Sequence, residues 1–239
     1  CCRRENACKR ERWMMRNEVI IMGNGPSKDM YTGAVDYACN LAGVVLKPRY
    51  LCSSDPWLQY DIIRQEYKGI CLFVDFDPLP IELPPEGFIE GQIPSDYDYV
   101  IHNPEQRENA VSWHFYSTGD TMNAYWHKHM SVKKDYWRTK RAYVCFVPKD
   151  IIIHNIERIE SQKHERLAPS GAYAIHHAIQ HGAKKIHTYG FDSMAGVMFT
   201  ESTYDAKSHN EAQADHFTGW YKHLVEENPE VEILWHTRG

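Results

Sequence analysis

The feature that most constrains this chain is a series of short, mainly apolar stretches, each ending in small or polar residues. Residues 19–23, "VIIMG", are the clearest, and "NGPSKDM" follows at once. The stretches at 35–39, 49–53 and 70–74 have the same character. A strand that is apolar on both faces must be covered on both faces, which is the situation of a parallel sheet flanked by helices. Between the stretches, "DPWLQYDIIRQEY" (55–67) spaces Trp57, Leu58 and Ile62 helically behind an Asp-Pro start, where proline suits the first turn. Strand and helix alternate, so the expected fold is α/β with a mainly parallel sheet.

The later chain extends the pattern. "YDYVIH" (97–102) and "AYVCFV" (142–147) read as strands, whereas 75–96 is rich in proline and glycine and reads as an irregular excursion. The polar, aromatic-heavy segment at about 105–140 has no clear period and is expected to be a lid or insert. In "SGAYAIHHAIQHGAKKIHTYGFD" (170–192), Ala172, Ile175, Ile179 and Gly182 share one helical face and Gly182 offers a left-handed stop. A strand then ends at Gly190 and delivers Asp192 to its carboxyl end. A last helix, about 210–227, is expected to bury Ala214, Phe217, Tyr221 and Leu224 before "EVEILWH" closes the sheet.

Composition removes several classes of function. The chain has 239 residues, within what α/β proteins fill as one domain, so residues 18–239 are expected to form one domain behind a tail at 1–17. No apolar run approaches the roughly 18 residues of a transmembrane helix, which leaves only peripheral membrane association open. The net charge of −5 speaks against nucleic acid as a partner but allows a small anion site. Seven cysteines, an odd number, four of them in apolar, strand-like contexts without metal-ligand spacing, suit unpaired thiols in a reducing, cytoplasmic setting. Among fourteen histidines, His177 and His181 stand at helical spacing and 127–129 reads "HKH". His177 and His181 fall outside the apolar stripe of their helix and lack further ligands, so no metal site is expected. Homo-oligomerisation stays open.

In open parallel sheets, ligands bind beyond the carboxyl ends of the strands. Gly23, Asn24, Gly25, Pro26 and Ser27 occupy such a place: the glycines permit close backbone approach, Pro26 suits a first helical position and Ser27 brings a hydroxyl. A tight structural turn would use the same residues. Asn40 ends the second strand, and Asp55 follows the third, where it would equally serve as a helix N-cap. Ser170 and Gly171 open the 170–181 helix, with Ser170 able to cap it or hold an anion. His209 precedes the last helix, whose positive end favours the neutral imidazole a general base requires, and Asp205 is near enough in sequence to orient it.

"VIIMGNGPS", "CN" at 39–40, "SSDPWLQY", "SGAYAIHHAIQHGAKKIHTYGFD" and a Ser/Tyr/His-bearing loop before the last helix, taken together, resemble the bacterial lipooligosaccharide sialyltransferases, glycosyltransferase family forty-two. The resemblance spans most of 18–236 through short motifs. It implies a single Rossmann-like domain with a lid, a CMP-sugar donor, a glycan acceptor, inversion at the sugar and no obligatory cofactor or metal. Asn24 and its glycines would face the nucleotide phosphate and Asn40 the nucleotide. Asp55 stands where the family has an asparagine near the donor. Ser170 and Gly171 match the family's Ser-Gly, and Asp192 matches the acid of its Gly-hydrophobic-Asp motif. Met194 stands where the family has a tyrosine. Tyr204 fits a later one, and an ungapped match from it places Lys207 at the catalytic histidine, with a two-residue shift restoring His209.

The expected reaction is transfer of a sugar, sialic acid by resemblance, with His209 taking the acceptor proton and Tyr204 steadying the departing phosphate. Two alternatives stay open. A glycine-proline-serine loop also looks like the pterin diphosphokinase-type enzymes, in which Asp55 and Asp192 would hold Mg²⁺ for ATP. Met194 and Lys207 would also suit a non-catalytic nucleotide-binding module.

Overall fold

A computed structural model of the chain describes residues 17–76, 79–80, 98–102, 110–117, 141–161, 164, 167–195 and 211–238. Its centre is a seven-stranded sheet. In chain order its strands are β1 (Glu18–Met22), β2 (Tyr37–Cys39), β3 (Tyr50–Ser53), β4 (Ile70–Val74), β9 (Ile152–Ile156), β10 (Lys185–Tyr189) and β11 (Glu232–His236). Across the sheet they run β11-β10-β1-β2-β3-β4-β9, and every neighbouring pair is parallel. The fold is a Rossmann-like α/β fold.

The helices are α1 (Asn40–Leu46), α2 (Pro56–Arg64), α3 (Ser170–Gln180) and α4 (Glu211–Glu227). They serve two cores, and the strands divide their residues between them at a period of two. Tyr50, Cys52, Leu72 and Val74 join Ala172, Tyr173, Ile175, Trp220 and Leu224 on the α3–α4 side. Leu51, Cys71 and Phe73 join Tyr60, Ile62 and Ile63 of α2, with Val147 and Ile151, on the other. That double coverage is why these strands are apolar throughout. Burying one such side chain contributes about 1.5–3 kcal/mol.

A second sheet has the order β5-β7-β8-β6: β5 (Leu79–Pro80), β6 (Asp98–His102), β7 (Ala110–Ser117) and β8 (Arg141–Pro148). β7 runs antiparallel to β5 and β8, and β6 runs parallel to β8. Within the expected 105–140 lid or insert, 110–117 is not irregular but a strand paired with β8 apart from a bulge at Val111; the rest of that segment lies outside the described residues. The strand's alternation is hidden by its aromatic residues. Three residues, 149–151, join β8 to β9, a strand the sequence reading missed because its exposed and half-buried residues lack a continuous apolar run. α1 was missed too. It begins at Asn40, which takes a left-handed φ of 55°, so strand turns into helix with no intervening loop.

Candidate functional site

From β1 the chain steps across the sheet through β2, β3 and β4 to β9, then returns to place β10 and β11 on the far side of β1. The strand order therefore reverses between β1 and β10. The loops leaving these two strands meet there. Gly23 N donates to Tyr189 O at 2.7 Å, Gly25 N to Gly190 O at 2.9 Å, and Gly190 N to Ser27 Oγ at 2.7 Å. Asp192 ties the knot. Its Oδ2 accepts the Ser27 amide at 3.0 Å and the Ser27 hydroxyl at 2.9 Å, and its Oδ1 accepts the Arg238 amide, beyond β11, at 3.1 Å. Ser27 and Asp192 are both fully buried.

The glycines follow from this contact. A Cβ on Gly25 would lie 2.9 Å from Gly190 O and closer still to the Asp192 carboxylate, while Gly190 itself sits at φ 76°. Lys28 N donates to Gly25 O at 3.1 Å as the first bond of the short 3-10 turn Pro26–Met30. The Gly23, Gly25 and Ser27 amides, expected to face a phosphate, thus have protein acceptors, and Pro26 has no N–H. Within the loop, Asn24 alone keeps an amide without an acceptor among the described residues.

The other predicted residues meet one strand further along. Ser170 does not cap α3: the N-cap is Pro169, with no side-chain cap. Instead Ser170 Oγ donates to Asn40 Oδ1 at 2.9 Å, lies 3.0 Å from Ser54 Oγ and accepts from the Ser54 amide at 3.0 Å. The carboxyl ends of β2 and β3 are thereby fastened to the amino end of α3. The Ala172 and Tyr173 amides both turn back to Pro169 O, and no described residue accepts from the Ser170 and Gly171 amides. That leaves a helix N-terminus whose first two amides have no acceptor among the described residues, at the carboxyl edge of the sheet. Asp55 is half-buried beside it, its carbonyl taking the Gln59 amide at 2.9 Å.

Gly171 joins the two clusters, since a Cβ there would lie 2.5 Å from Phe191 Cε1 and 2.7 Å from the Tyr221 hydroxyl. Ser27, Asp192, Ser170, Gly171 and Asn40 therefore belong to one contiguous rim, of which Asn40 is half-buried and the other four are buried. Asp75, at the end of β4, extends it. Like Asn40 it has a left-handed φ, 53°, and its carboxylate accepts from Arg158 Nε at 2.6 Å. Lys47 and Glu66, just after α1 and α2, take the same conformation, so it is not particular to the rim. Met194 packs partly buried against the α3–α4 core. Tyr204, Asp205, Lys207, His209 and the histidines at 127–129 lie outside the described residues.

The expected position of His177, outside the apolar stripe of its helix, is corrected here. His177 is not turned away from the core but is 8% exposed, its Nδ1 sharing a 2.9 Å hydrogen bond with the Tyr37 hydroxyl and its ring stacked on that of His181 at 3.9 Å. Helical wheels undercount such a site because Tyr37 reaches across from the sheet. Burial, then His181, His154 and His176, lowers the His177 pKa to about 3, and burial first of all raises that of Tyr37. The pair is neutral. Burial also pushes the Cys39 and Cys71 thiols up to about 12, and Cys52 well above the ordinary range. All three are free and unreactive by position.

Sequence reasoning also missed Ser54 and Gln59. Gln59, fully buried, donates Nε2 to Ser53 O at 3.0 Å and Val74 O at 2.8 Å, and so holds the ends of β3 and β4 at a fixed spacing. Nothing in the local sequence marks it, because α2 also carries Asp61 and Arg64. Among the described residues there is no group of three or more metal-ligating side chains, and no helix is long and apolar enough to cross a membrane. No protein-family model matches the chain, and no curated protein matches it in sequence.

Proposed function

We propose that the chain is a sialyltransferase-like glycosyltransferase that seats an activated-sugar nucleotide, with CMP as its nucleotide, against the amino end of α3. The observation that carries this reading is the Asn40–Ser54–Ser170 cluster. Because Ser170 spends its hydroxyl on β2 and β3, the helix amides and the positive end of the helix stay available to a phosphate or carboxylate. Asn24 flanks the same rim. In the reaction that fits this seat, His209 takes the proton of an acceptor hydroxyl as its oxygen attacks the anomeric carbon. The bond to the nucleotide phosphate breaks, and Tyr204 with the α3 amides steadies the charge left on it.

The Mg²⁺–ATP reading is less well supported, because Asp192 already directs one carboxylate oxygen to Ser27 and the other to Arg238. A thermal-shift panel of CMP, CDP, UDP, GDP and ATP, with and without Mg²⁺, decides between them. A ligand at a hundred times its Kd adds about 2.7 kcal/mol of stability. We expect cytidine nucleotides to stabilise the protein without Mg²⁺ and Ser170→Ala to remove most of that gain. Stabilisation by ATP only when Mg²⁺ is present would overturn the reading. CMP binding without hydrolysis or transfer of a CMP-sugar would identify a non-catalytic binding module.

A further inference from the structure

Away from the rim, three side chains on three neighbouring strands lie in a line. Glu18 of β1 places Oε1 2.7 Å from His187 Nε2 of β10, and His187 Nδ1 lies 2.9 Å from His236 Nε2 of β11. The two imidazole planes differ by 8° and their centroids are 5.2 Å apart. With nitrogens 2.9 Å apart, that is close to the largest centroid separation possible, so the rings lie end to end and nearly coplanar. This is the geometry of an N–H donating straight to a lone pair. A shared zinc ion, about 2.0–2.1 Å from each nitrogen, would hold the nitrogens about 3.3 Å apart and bent at the metal.

The carboxylate sets the direction of the chain. Glu18 accepts, so His187 Nε2 carries the hydrogen and Nδ1 is left to accept from His236 Nε2–H. The free lone pair of the assembly is then His236 Nδ1, on the last residue of β11.

We propose that Glu18, His187 and His236 act as one acid–base unit that takes up its proton at His236 Nδ1 and thereby makes the β1–β10–β11 edge of the sheet responsive to pH. The surroundings fit. Tyr189 lies flat on His236 at 4.3 Å and 5°, and Tyr31 stacks on Tyr189 at 5.0 Å, which limits water at the ring. Lys185 and Glu232 on the same face pair with each other at 3.4 Å. The Asp36 carboxylate, ahead of β2, takes the Ile20 amide at 3.0 Å, and the 3-10 turn beside β10 contributes Lys28 and Asp29. Burial and then the neighbouring His187 lower the pKa of His236. The folded protein therefore favours the neutral ring, and acidification below the ordinary histidine range loosens this edge.

The same three strands carry the Asp192 knot, and Arg238, which donates to it, is two residues beyond His236. A proton on His236 is thus delivered to the segment that fastens β11 to the rim. This inference is independent of what the rim binds.

Ring-nitrogen NMR on ¹⁵N-histidine-labelled full-length protein tests it, together with amide exchange corrected for its intrinsic pH dependence. At pH 8 both His187 and His236 are expected as Nε2–H tautomers. Lowering the pH should protonate His236 Nδ1 and accelerate exchange at the Arg238 amide. Glu18→Ala should release the His187 tautomer, Glu18→Gln should retain it, and His187→Phe should raise the His236 midpoint. A His187 Nδ1–H tautomer at pH 8, a His236 midpoint unchanged in His187→Phe, or Arg238 exchange indifferent to pH would each overturn the proposal.

Discussion

Asp192→Asn isolates what the buried carboxylate does. The substitution keeps volume and shape but exchanges one acceptor oxygen for an NH₂ group. In the native protein Oδ2 accepts two hydrogen bonds from Ser27 and Oδ1 accepts the Arg238 amide. Whichever way the new amide turns, one N–H group faces another. The Ser27 hydroxyl cannot swing away without cost, because it already accepts from Gly190 N. An unsatisfied buried donor costs about 1–3 kcal/mol, and loss of a charged acceptor puts this site near the upper end, about 2–3 kcal/mol. For a domain of this size each kcal/mol lowers Tm by about 2–4 °C, so calorimetry at pH 7 without ligand should show a fall of about 4–12 °C. If Tm stays within about 1 °C of the parent while nucleotide binding disappears, the carboxylate serves a ligand and the structural account of the knot is refuted.

Other outcomes follow from the same geometry. Gly25→Ala forces a methyl group against Asp192 and Gly190 O and should cost about 1–3 kcal/mol, read as a lower urea midpoint at unchanged slope; an unaltered midpoint would mean the two loops do not meet. His177, neutral in the fold, binds fewer protons than in the unfolded chain, so the stability tied to it is full above about pH 6.5 and is lost as pH falls towards 3. Solvent screening limits this to about 1–2 kcal/mol by pH 4.5, and in a denaturation series His177→Gln should flatten the loss; an identical slope in parent and variant would contradict it. Brief alkylation of the native protein followed by peptide mass spectrometry should leave Cys39, Cys52 and Cys71 unlabelled until denaturant is added, and rapid native labelling of any of them would contradict their burial.

The fold was legible in the sequence where coverage was complete. The stretches at 49–53 and 70–74 are apolar on both faces because a core lies on each side, a signal that needs no tertiary information, whereas 19–23 sends Val19 and Ile21 into the α3–α4 core alone. β7 and β9 escaped notice for the opposite reason. β9 is an edge strand with a half-exposed pattern, and the aromatic residues of β7 mask its period. At the rim, the sequence pointed to Ser170 and Asn40 but could not say that they bond to each other across 130 positions. It read the loop glycines as room for a ligand, whereas in the fold Gly25 makes room for Gly190 and Asp192. A glycine requirement announces a close approach without naming what approaches. Glu18, His187 and His236 gave no local signal, because strand order alone sets them side by side.

The most direct test of the account is amide mapping of CMP binding by NMR in the parent protein and in Ser170→Ala. The account predicts the largest shifts at Ser170, Gly171, Ser54 and Asn40, and their loss in the variant. Shifts that avoid these four amides, or that persist undiminished in Ser170→Ala, would contradict it.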